Sequence, residues 1–321
     1  MKISVDFGAV EGKGYYGTKI FSENLKKALL KYDKNNDYIF YDFKTVKPKL
    51  FWSQLGLSLA ELKNKPDVFL ALNQSIPFYV NGKIISFSHG LSYYFYPEYY
   101  SKHDVSRLKK QLSIMVKRSQ VIIVSSIKVK NELEKISEKN KNLKIINLPF
   151  GIPFDVLEFK NFKKINKKYF LVVANNQPIK NLNFIIENFL KATVDKNFYL
   201  YVVTNNADGL IKEKNIKYFL NISRFQLINL YSQSQALLTA SFYESFNFPI
   251  LETLFFANPV IALKSAAIPE FKNYVNIAKN EYEFINFLKK IPRKLDKKNI
   301  DELKEKFSWK KYVEKLIKLY Q

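Results

Sequence analysis

The sequence contains no cysteine and only two histidines among its 321 residues. This composition excludes a disulfide framework and a thiolate metal site, and it leaves little for zinc binding. No run of eighteen apolar residues occurs, so we expect no transmembrane helix. The N-terminal MKISVDF has the pattern of a polar-flanked strand rather than of a signal peptide, and we therefore expect a cytoplasmic protein.

Acidic residues are few relative to basic ones, since 29 Asp and Glu stand against 52 Lys and Arg, for a formal net charge of +23. An excess of this size attracts polyanions. The basic residues are scattered and form no nucleic-acid-binding motif. This favours an anionic bilayer surface as partner, at roughly 1 kcal/mol for each basic residue close to it. Biased genome composition is an alternative origin of the excess, because Asn, Ile and Phe are abundant as well.

The length predicts two domains, at about 150 residues for each. Strand-like runs recur in both halves and alternate with polar or helical stretches, which predicts parallel sheets with helices on both faces. The runs are KISVDF, DYIFYDF, DVFLAL, KIISFS and QVIIVS, followed by KYFLVVA, FYLYVVT, IKYFLNI and QALLTA. The segment from Asp155 to Lys168 is polar and rich in Lys and Asn, which is typical of a connector. We place the N-terminal domain at 1–160, the C-terminal domain at 161–305 and a terminal helix at 306–321.

Two features follow strands of the first half, where parallel sheets bind their ligands. Gly12, Gly14 and Gly17 lie between the first strand and a helical pattern, which suits a phosphate-bearing ligand but also an ordinary tight turn. His89 directly follows KIISFS and is a candidate ligand-binding residue. The alternative for His89 is a ring whose nitrogen is satisfied by the backbone.

The segment RLKKQLSIMVKRS predicts a basic amphipathic helix, with Leu108, Leu112, Met115 and Val116 on one face. A helix of this kind can lie on a membrane surface. More often its apolar stripe packs on the sheet while its charges are solvated, and we favour that interpretation.

The most informative stretch runs from Ala240 to Glu270 and reads ASFYESFNFPILETLFFANPVIALKSAAIPE. It places Glu244 and Glu252 eight positions apart, with Pro249 between them. Because Pro is favoured at the first helical position, we expect a helix to begin near Pro249 with Glu252 in its first turn. The amides of that helix end would suit an anion, and the carboxylates would suit hydroxyl groups. Taken singly, Glu252 also fits a residue that only complements the helix dipole, and Glu244 fits a solvated one.

As a whole, the stretch resembles the E-x7-E signature of the retaining glycosyltransferases of family 4, also called glycosyl transferases group 1. The matching residues are Glu244, Phe246, Pro249, Leu251, Glu252, Pro259, Val260, Ile261, Pro269 and Glu270. Family glycines are replaced here by Ser245, Asn247 and Asn258. Asn is tolerated in the left-handed region better than most residues, so the two Asn replacements are mild.

Weaker resemblance to the same family extends over nearly the whole chain. Gly17 matches its N-terminal loop and following helix, and SHGLSYYFYPEYYS around His89 is similar to its HDLxxxxxPExxS segment. Lys180 matches the basic element that holds the donor diphosphate, although the Arg expected beside it is absent. The end, FSWKKYVEKLIKLYQ, resembles the terminal helix that crosses back to the N-terminal domain.

The resemblance implies an α/β fold of two Rossmann-like domains that face each other across a cleft (GT-B). It implies retaining transfer of a hexose-type sugar from a nucleotide diphosphate sugar to an acceptor hydroxyl, without a metal or other cofactor. The implied catalytic residues are Glu244 and His89, which orient the sugar, and Lys180, which stabilises the leaving diphosphate. The implied donor-binding residues are Glu252, which accepts from the ribose hydroxyls, and Asn247, Phe248, Pro249, Gly14 and Gly17.

The basic charge and the amphipathic pattern make a lipid-linked or cell-envelope glycan the expected acceptor, with the protein peripheral on the inner face of the membrane. Two alternatives stay open. The missing Arg and the altered glycines would fit a catalytically weak family member that acts as a scaffold in a glycan-assembly complex. The net charge would fit a polyanion-binding protein.

Overall fold

The structure is a computed structural model that describes residues 1–8, 16–138, 140–160, 162–192 and 197–321. Gly12 and Gly14 of the predicted phosphate loop lie outside these residues. The chain divides into two compact units. Unit 1 comprises Met1–Gly151 and Phe307–Gln321, and unit 2 comprises Ile152–Lys306.

Unit 1 is built on one parallel sheet with helices. Its strands are β1 (Lys2–Asp6), β2 (Asp37–Tyr41), β3 (Val68–Ala71), β4 (Lys83–Ser88), β5 (Val121–Val124) and β6 (Lys144–Asn147). Its helices are α1 (Tyr16–Tyr32), α2 (Leu57–Asn64), α3 (Ser92–Phe95), α4 (Lys102–Arg118), α5 (Ile127–Ser137) and, after unit 2, α12 (Trp309–Ile317). The strand order is β2-β1-β3-β4-β5-β6, with every pair parallel. The strand-like runs predicted for the first half are confirmed.

The inner strands of unit 1 are apolar on both faces, because both faces of a parallel sheet are covered. All residues of β3 and β5 are buried. Helix α4 covers part of one face, and its Leu112 and Met115 are buried in the core while most of its basic residues are exposed. This confirms the packing interpretation of RLKKQLSIMVKRS.

The C-terminal helix α12 packs on α1 within unit 1. The rings of Trp309 and Tyr312 lie 6.1 and 6.3 Å from the ring of Phe21. A Cβ at Gly151 would lie 2.5 Å from the Trp309 ring, so only glycine fits there. The terminal segment is therefore part of the core of unit 1.

Unit 2 is a second parallel sheet with helices. Its strands are β7 (Lys168–Val173), β8 (Phe198–Thr204), β9 (Ile216–Leu220), β10 (Ala236–Thr239), β11 (Val260–Leu263) and β12 (Asn276–Ala278). Its helices are α6 (Phe154–Leu157), α7 (Leu182–Lys191), α8 (Arg224–Gln233), α9 (Phe248–Phe255), α10 (Glu281–Lys289) and α11 (Lys297–Lys306). The strand order is β12-β11-β10-β7-β8-β9, again parallel throughout. The predicted strands are confirmed, and the short edge strand β12 was not predicted.

The strand order of unit 2 reverses direction between β7 and β10. From β7 the chain proceeds outward to β8 and β9, whereas from β10 it proceeds the opposite way to β11 and β12. The connections that leave these two neighbouring strands therefore diverge and open a crevice at the carboxyl ends of the strands, which is the usual ligand position in such sheets.

Candidate functional site

The loops that follow β7 and β10 are joined at this crevice by hydrogen bonds. The Phe242 amide donates to the Ile179 carbonyl at 2.9 Å, and the Asn181 side chain donates to the Ala240 carbonyl at 3.3 Å. Asn181 adopts a left-handed conformation, with φ of 53°, which Asn tolerates well. The two loops are thus held at a defined distance.

Lys180 and Glu244, predicted from different parts of the sequence, meet across these joined loops. Lys180 Nζ donates to Glu244 Oε1 at 2.7 Å, and the two side chains are 25% and 11% exposed. Glu244 is therefore a paired and largely buried carboxylate rather than a solvated one. An ammonium group has three donors, so this bond leaves two Lys180 protons for other acceptors.

Helix α9 begins one residue before the predicted start, and this changes the position of Glu252. The helix starts at Phe248, with Pro249 in its first turn and Asn247 before it at a φ of 73°. Glu252 is the fifth helical residue and lies in the second turn, roughly 6 Å along the helix axis. The expected first-turn position was wrong, so complementing the helix dipole does not explain this carboxylate.

The left-handed conformation of Asn247 is what the glycine replacement predicted, and Asn258 differs. The left-handed residue near Asn258 is its predecessor Ala257, with φ of 63°. Asn258 is fully buried, and its side-chain amide donates to the Tyr231 carbonyl at 2.8 Å. Asn258 therefore ties α8 to the turn after α9.

Glu252 belongs to a buried ionic cluster with Arg224 and Asp155. Arg224 donates to Asp155 from Nε (2.8 Å, to Oδ2) and from Nη2 (3.1 Å, to Oδ1). It also donates to Glu252, from Nη1 to Oε2 at 3.1 Å and from Nη2 to Oε1. The Glu252 side chain is only 1% exposed, compared with 20% for Arg224 and 40% for Asp155. One guanidinium thus holds both oxygens of the buried carboxylate.

The protonation of this cluster follows from burial and pairing. Burial raises the pKa of Glu252, and the Arg224 charge and hydrogen bonds oppose that rise. Burial alone would lower the pKa of Arg224, but Glu252 and Asp155 raise it above its usual value. Arg224 is therefore always charged, and the ionised form of Glu252 depends on it.

The sequence analysis missed Arg224 and Asp155. In the structure a capping box of Ser223 and Gln226 starts α8, and the sequence analysis gave no role to the Arg at the first helical position. A signal was present, because only four of the 52 basic residues are Arg. An Arg in so Lys-rich a chain marks a place where the planar fork, rather than the charge alone, is needed. Asp155 gave no comparable signal, since it lies in a segment interpreted as a connector.

His89 lies in unit 1, immediately after β4. Its Nε2 is 2.7 Å from the Leu72 carbonyl, and its ring lies 5.2 Å from the ring of Phe21. Since a carbonyl only accepts, Nε2 carries the proton, and Nδ1 is an acceptor suited to a hydroxyl group. One ring nitrogen is thus satisfied by the backbone, as the alternative for this residue held, and a role in orienting a sugar stays a prediction.

We expect His89 to titrate below the usual histidine pKa of about 6.5. Burial lowers its pKa, and the bond to Leu72 offsets this only in part. NMR titration of His103→Gln, which leaves His89 as the single histidine, isolates its imidazole signal. A midpoint at or above the usual value would contradict the lowered pKa of His89.

The structure gives little support for a special role of Gly17, and it bears on the metal and membrane predictions as follows. Gly17 lies in the first turn of α1, and an added Cβ there would meet no atom within 4 Å, so sterics do not require glycine. Within the described ranges, no cluster of three or more His, Asp or Glu is placed to hold a metal ion, and metal independence stays a prediction. Over those same ranges, every helix is too short or too polar to cross a membrane.

A family model described as "Glycosyl transferases group 1" matches residues 153–308, which contain Lys180, Arg224, Glu244 and Glu252. No curated protein matches the sequence. The family match agrees with the resemblance read from the Ala240 to Glu270 stretch.

Solved structures share the fold over the whole chain. Sucrose-phosphate synthase from Thermosynechococcus elongatus is 14% identical, with 100% of this chain and 98% of that chain covered and a TM-score of 0.75. HepE of Anabaena, in complex with UDP and glucose, is 13% identical, with 99% of each chain covered and a TM-score of 0.69. The lipopolysaccharide outer core galactosyltransferase WaaB is 15% identical, with 100% of each chain covered and a TM-score of 0.58. The two sheets and these likenesses confirm the predicted GT-B fold class.

Proposed function

On the premise that residues 153–308 belong to the glycosyl transferases group 1 family, we propose that the chain is a retaining glycosyltransferase. It moves a hexose-type sugar from a nucleotide diphosphate sugar to an acceptor hydroxyl. The observation that carries this proposal is the Lys180–Glu244 pair, held at 2.7 Å in the crevice between β7 and β10.

The chemical problem of such a transfer is the charge that builds on the departing diphosphate. Two protons of Lys180 remain available to phosphate oxygens. The N-terminal turn of α9, which begins four residues after Glu244, adds a partial positive charge. Preorganised positive groups of this kind stabilise developing charge without a metal. In this proposal Glu244, the partner of Lys180, accepts from a sugar hydroxyl.

Glu252 is the proposed hydrogen-bond acceptor for the ribose hydroxyls of the donor. Its burial means that it must first become accessible to the donor. Arg224 and Asp155 fix the carboxylate, but its 1% exposure shields it from a ligand. Each carboxylate oxygen has two lone pairs; Arg224 uses one on each, and the Tyr231 side chain also donates a hydrogen bond to this carboxylate. We expect donor binding to displace the residues that cover Glu252 while Arg224 keeps its hold.

The reaction balances with these groups alone. The bond between the anomeric carbon and the diphosphate oxygen breaks, and the acceptor oxygen bonds to the same face of that carbon. The acceptor proton passes to an oxygen of the leaving phosphate, so no side chain is required as general base. His89 orients the sugar in this proposal, and exclusion of water limits donor hydrolysis.

We expect one nucleotide base in a panel of UDP-, GDP-, ADP- and dTDP-sugars to raise the thermal unfolding midpoint, because a ligand that binds only the folded state stabilises it. The conservative variant Glu252→Gln loses a charge-assisted acceptor, so its donor affinity should fall roughly tenfold. The control is Glu281→Gln, which removes an equal charge from an exposed position on α10. Turnover is then measured with the donor that raises the midpoint, as release of free sugar or formation of a transfer product.

The outcomes separate the proposal from its alternatives. Donor binding without turnover would favour the scaffold. The absence of any shift, together with salt-sensitive nucleic-acid binding that survives Glu252→Gln, would favour a polyanion-binding protein. The acceptor that we propose is a lipid-linked or cell-envelope glycan, supported by the net charge of +23 and by the fold shared with a lipopolysaccharide galactosyltransferase. A cytoplasmic protein peripheral to the inner membrane face would fit that acceptor.

A further inference from the structure

A π-helical turn, Trp52–Gly56, leads directly into α2, and the two form one continuous helical segment. This segment carries apolar side chains on two opposite faces. Trp52 and Leu57 are buried in the core of unit 1, and Glu61 is buried with its carboxylate accepting from Ser4 at 2.7 Å. The inner face therefore already accounts for the packing of this helix.

The outer face carries a row of exposed apolar side chains at helical spacing. Leu55, Leu59 and Leu62 recur every three or four residues, so they share one side of the helix, and the exposed Phe51 lies directly before its first turn. The 75–79 loop lies beside them, since the Tyr79 amide donates to Ser58 at 3.1 Å and Gln54 donates to Ser75 at 3.2 Å. Phe78 and Tyr79 of this loop are exposed as well. We name the surface formed by Phe51, Leu55, Leu59, Leu62, Phe78 and Tyr79 the α2 patch.

Each member of the α2 patch is between 40% and 70% exposed. Single exposed apolar residues are ordinary, but a contiguous group of leucine and aromatic side chains marks a surface that binds something. Within the described residues, nothing covers the outer face of this helix.

The charges around the α2 patch select its partner. Lys44, Lys47 and Lys49 precede it and Lys63 and Lys65 follow, all of them exposed. The only acidic residue from 43 to 66 is Glu61, which is buried. Apolar side chains flanked by exposed basic residues are typical of helices that lie at the surface of an anionic bilayer. A twofold contact between two copies of this surface would instead bring lysines against lysines.

We propose that the α2 patch is a docking surface for an anionic lipid bilayer. Its leucine and aromatic side chains enter the interface while the five lysines contact lipid phosphates. The inference deepens the proposed function by naming the surface that meets a lipid-linked acceptor. It rests on the proposed function, because only a lipid-linked acceptor gives the enzyme a reason to bind the bilayer. The membrane-binding surface is then distinct from α4, whose apolar stripe is buried.

The test is flotation of the full chain with phosphatidylcholine vesicles, with and without phosphatidylglycerol, at about 0.15 M salt. We expect the wild type to float with the anionic vesicles. Leu55→Ser/Leu59→Ser should lower the partition coefficient on the order of tenfold, through lost apolar insertion. The matched control is Leu30→Ser/Leu220→Ser, which changes leucines of similar exposure elsewhere and should stay within about twofold.

A second pair of variants isolates the lysines at equal net charge. Lys44→Gln/Lys47→Gln/Lys49→Gln should weaken binding to anionic vesicles at least tenfold, roughly the effect of removing basic residues that lie close to the surface. Lys294→Gln/Lys297→Gln/Lys298→Gln removes the same charge from exposed positions in unit 2 and should have a much smaller effect. Equal losses in both triple variants would overturn the proposal in favour of diffuse attraction by the whole protein.

Two further outcomes would also overturn it. One is a wild type that does not float with anionic vesicles. The other is a lipid-free dimer, seen by analytical ultracentrifugation, that Leu55→Ser/Leu59→Ser converts to monomer, which would make the patch a contact between two copies. Donor-induced thermal stabilisation of the same variants separates this question from the proposed function, because the patch variants should bind donor like the wild type.

Discussion

Arg224→Ala is expected to lower the free energy of unfolding by about 3–5 kcal/mol, because it leaves the buried carboxylate of Glu252 without its charged partner and with a hydrogen bond from Tyr231 alone to offset its burial. Both Glu252 oxygens accept from this one guanidinium. Asp155 would also lose its partner, but at 40% exposure it can be solvated by water and adds little. Urea unfolding, compared through the midpoint and the slope, measures the change.

The double variant Arg224→Leu/Glu252→Leu is the control for this prediction. Apolar side chains in place of a buried ion pair are often neutral or stabilising, so we expect a much smaller loss than in the single variant. If Arg224→Ala cost under 1 kcal/mol, or if the double variant lost as much as the single one, the cluster would not be a buried ion pair that depends on Arg224.

The penalty should also depend on pH, with a sign that follows from Glu252. Its pKa is raised by burial in the folded protein, and removal of Arg224 takes away the charge that opposed this rise. A carboxyl with a raised folded-state pKa binds more protons in the folded than in the unfolded protein. Its contribution to stability therefore falls as pH increases from the unfolded-state pKa through the folded-state pKa. Arg224→Ala should therefore be less destabilising near pH 5 than near pH 8. An equal loss at both values would show that Glu252 stays ionised without its partner.

Lys180→Ala is expected to reduce kcat roughly 100- to 1000-fold, which is the usual effect of removing one preorganised group that stabilises transition-state charge. The sequence offers no Arg beside Lys180 to replace it. Donor KM should change less than kcat, because the charge on the diphosphate grows as the bond to the sugar breaks. Steady-state kinetics with the donor found in the thermal panel measure both constants.

The control for Lys180→Ala is Lys289→Ala, which removes the same charge at an exposed position on α10 and should leave kcat within about twofold. A thermal unfolding scan shows whether loss of the bond to Glu244 disturbs the fold. If Lys180→Ala folds normally and retains wild-type kcat, the lysine does not stabilise the leaving group, and its pairing with Glu244 is structural.

The strands and several helix ends were predictable because they depend on neighbours in sequence. Runs such as QVIIVS and QALLTA contain three or four successive apolar residues, and a strand covered on both faces buries all of them. The capping box of Ser223 and Gln226 is local by construction, since the two residues hydrogen-bond each other's backbone. Asn247 takes the left-handed conformation because its own short side chain tolerates it.

The start of α9 was off by one residue, and this mattered for the site. Pro249 fits either of the first two helical positions, so sequence could not decide whether Glu252 lies in the first turn or the second. In the second turn it is buried, where an unpaired carboxylate would be costly. That cost is what makes Arg224 necessary.

The sequence alone determined the alternation of strands and helices, the separation into two α/β units, and the identity of Lys180, Glu244 and Glu252 as candidates. The alternation and the two units follow from apolar runs and turn residues, whereas the three candidates follow from the resemblance of short segments to a known family. Only the tertiary structure decided that Lys180 pairs with Glu244, that Arg224 and Asp155 hold Glu252, and that Leu59 and Leu62 of α2 are exposed while Leu57 is buried. The physical reason is that each of these depends on residues many positions apart, brought together by the order of strands in the sheet or by the packing of helices against it.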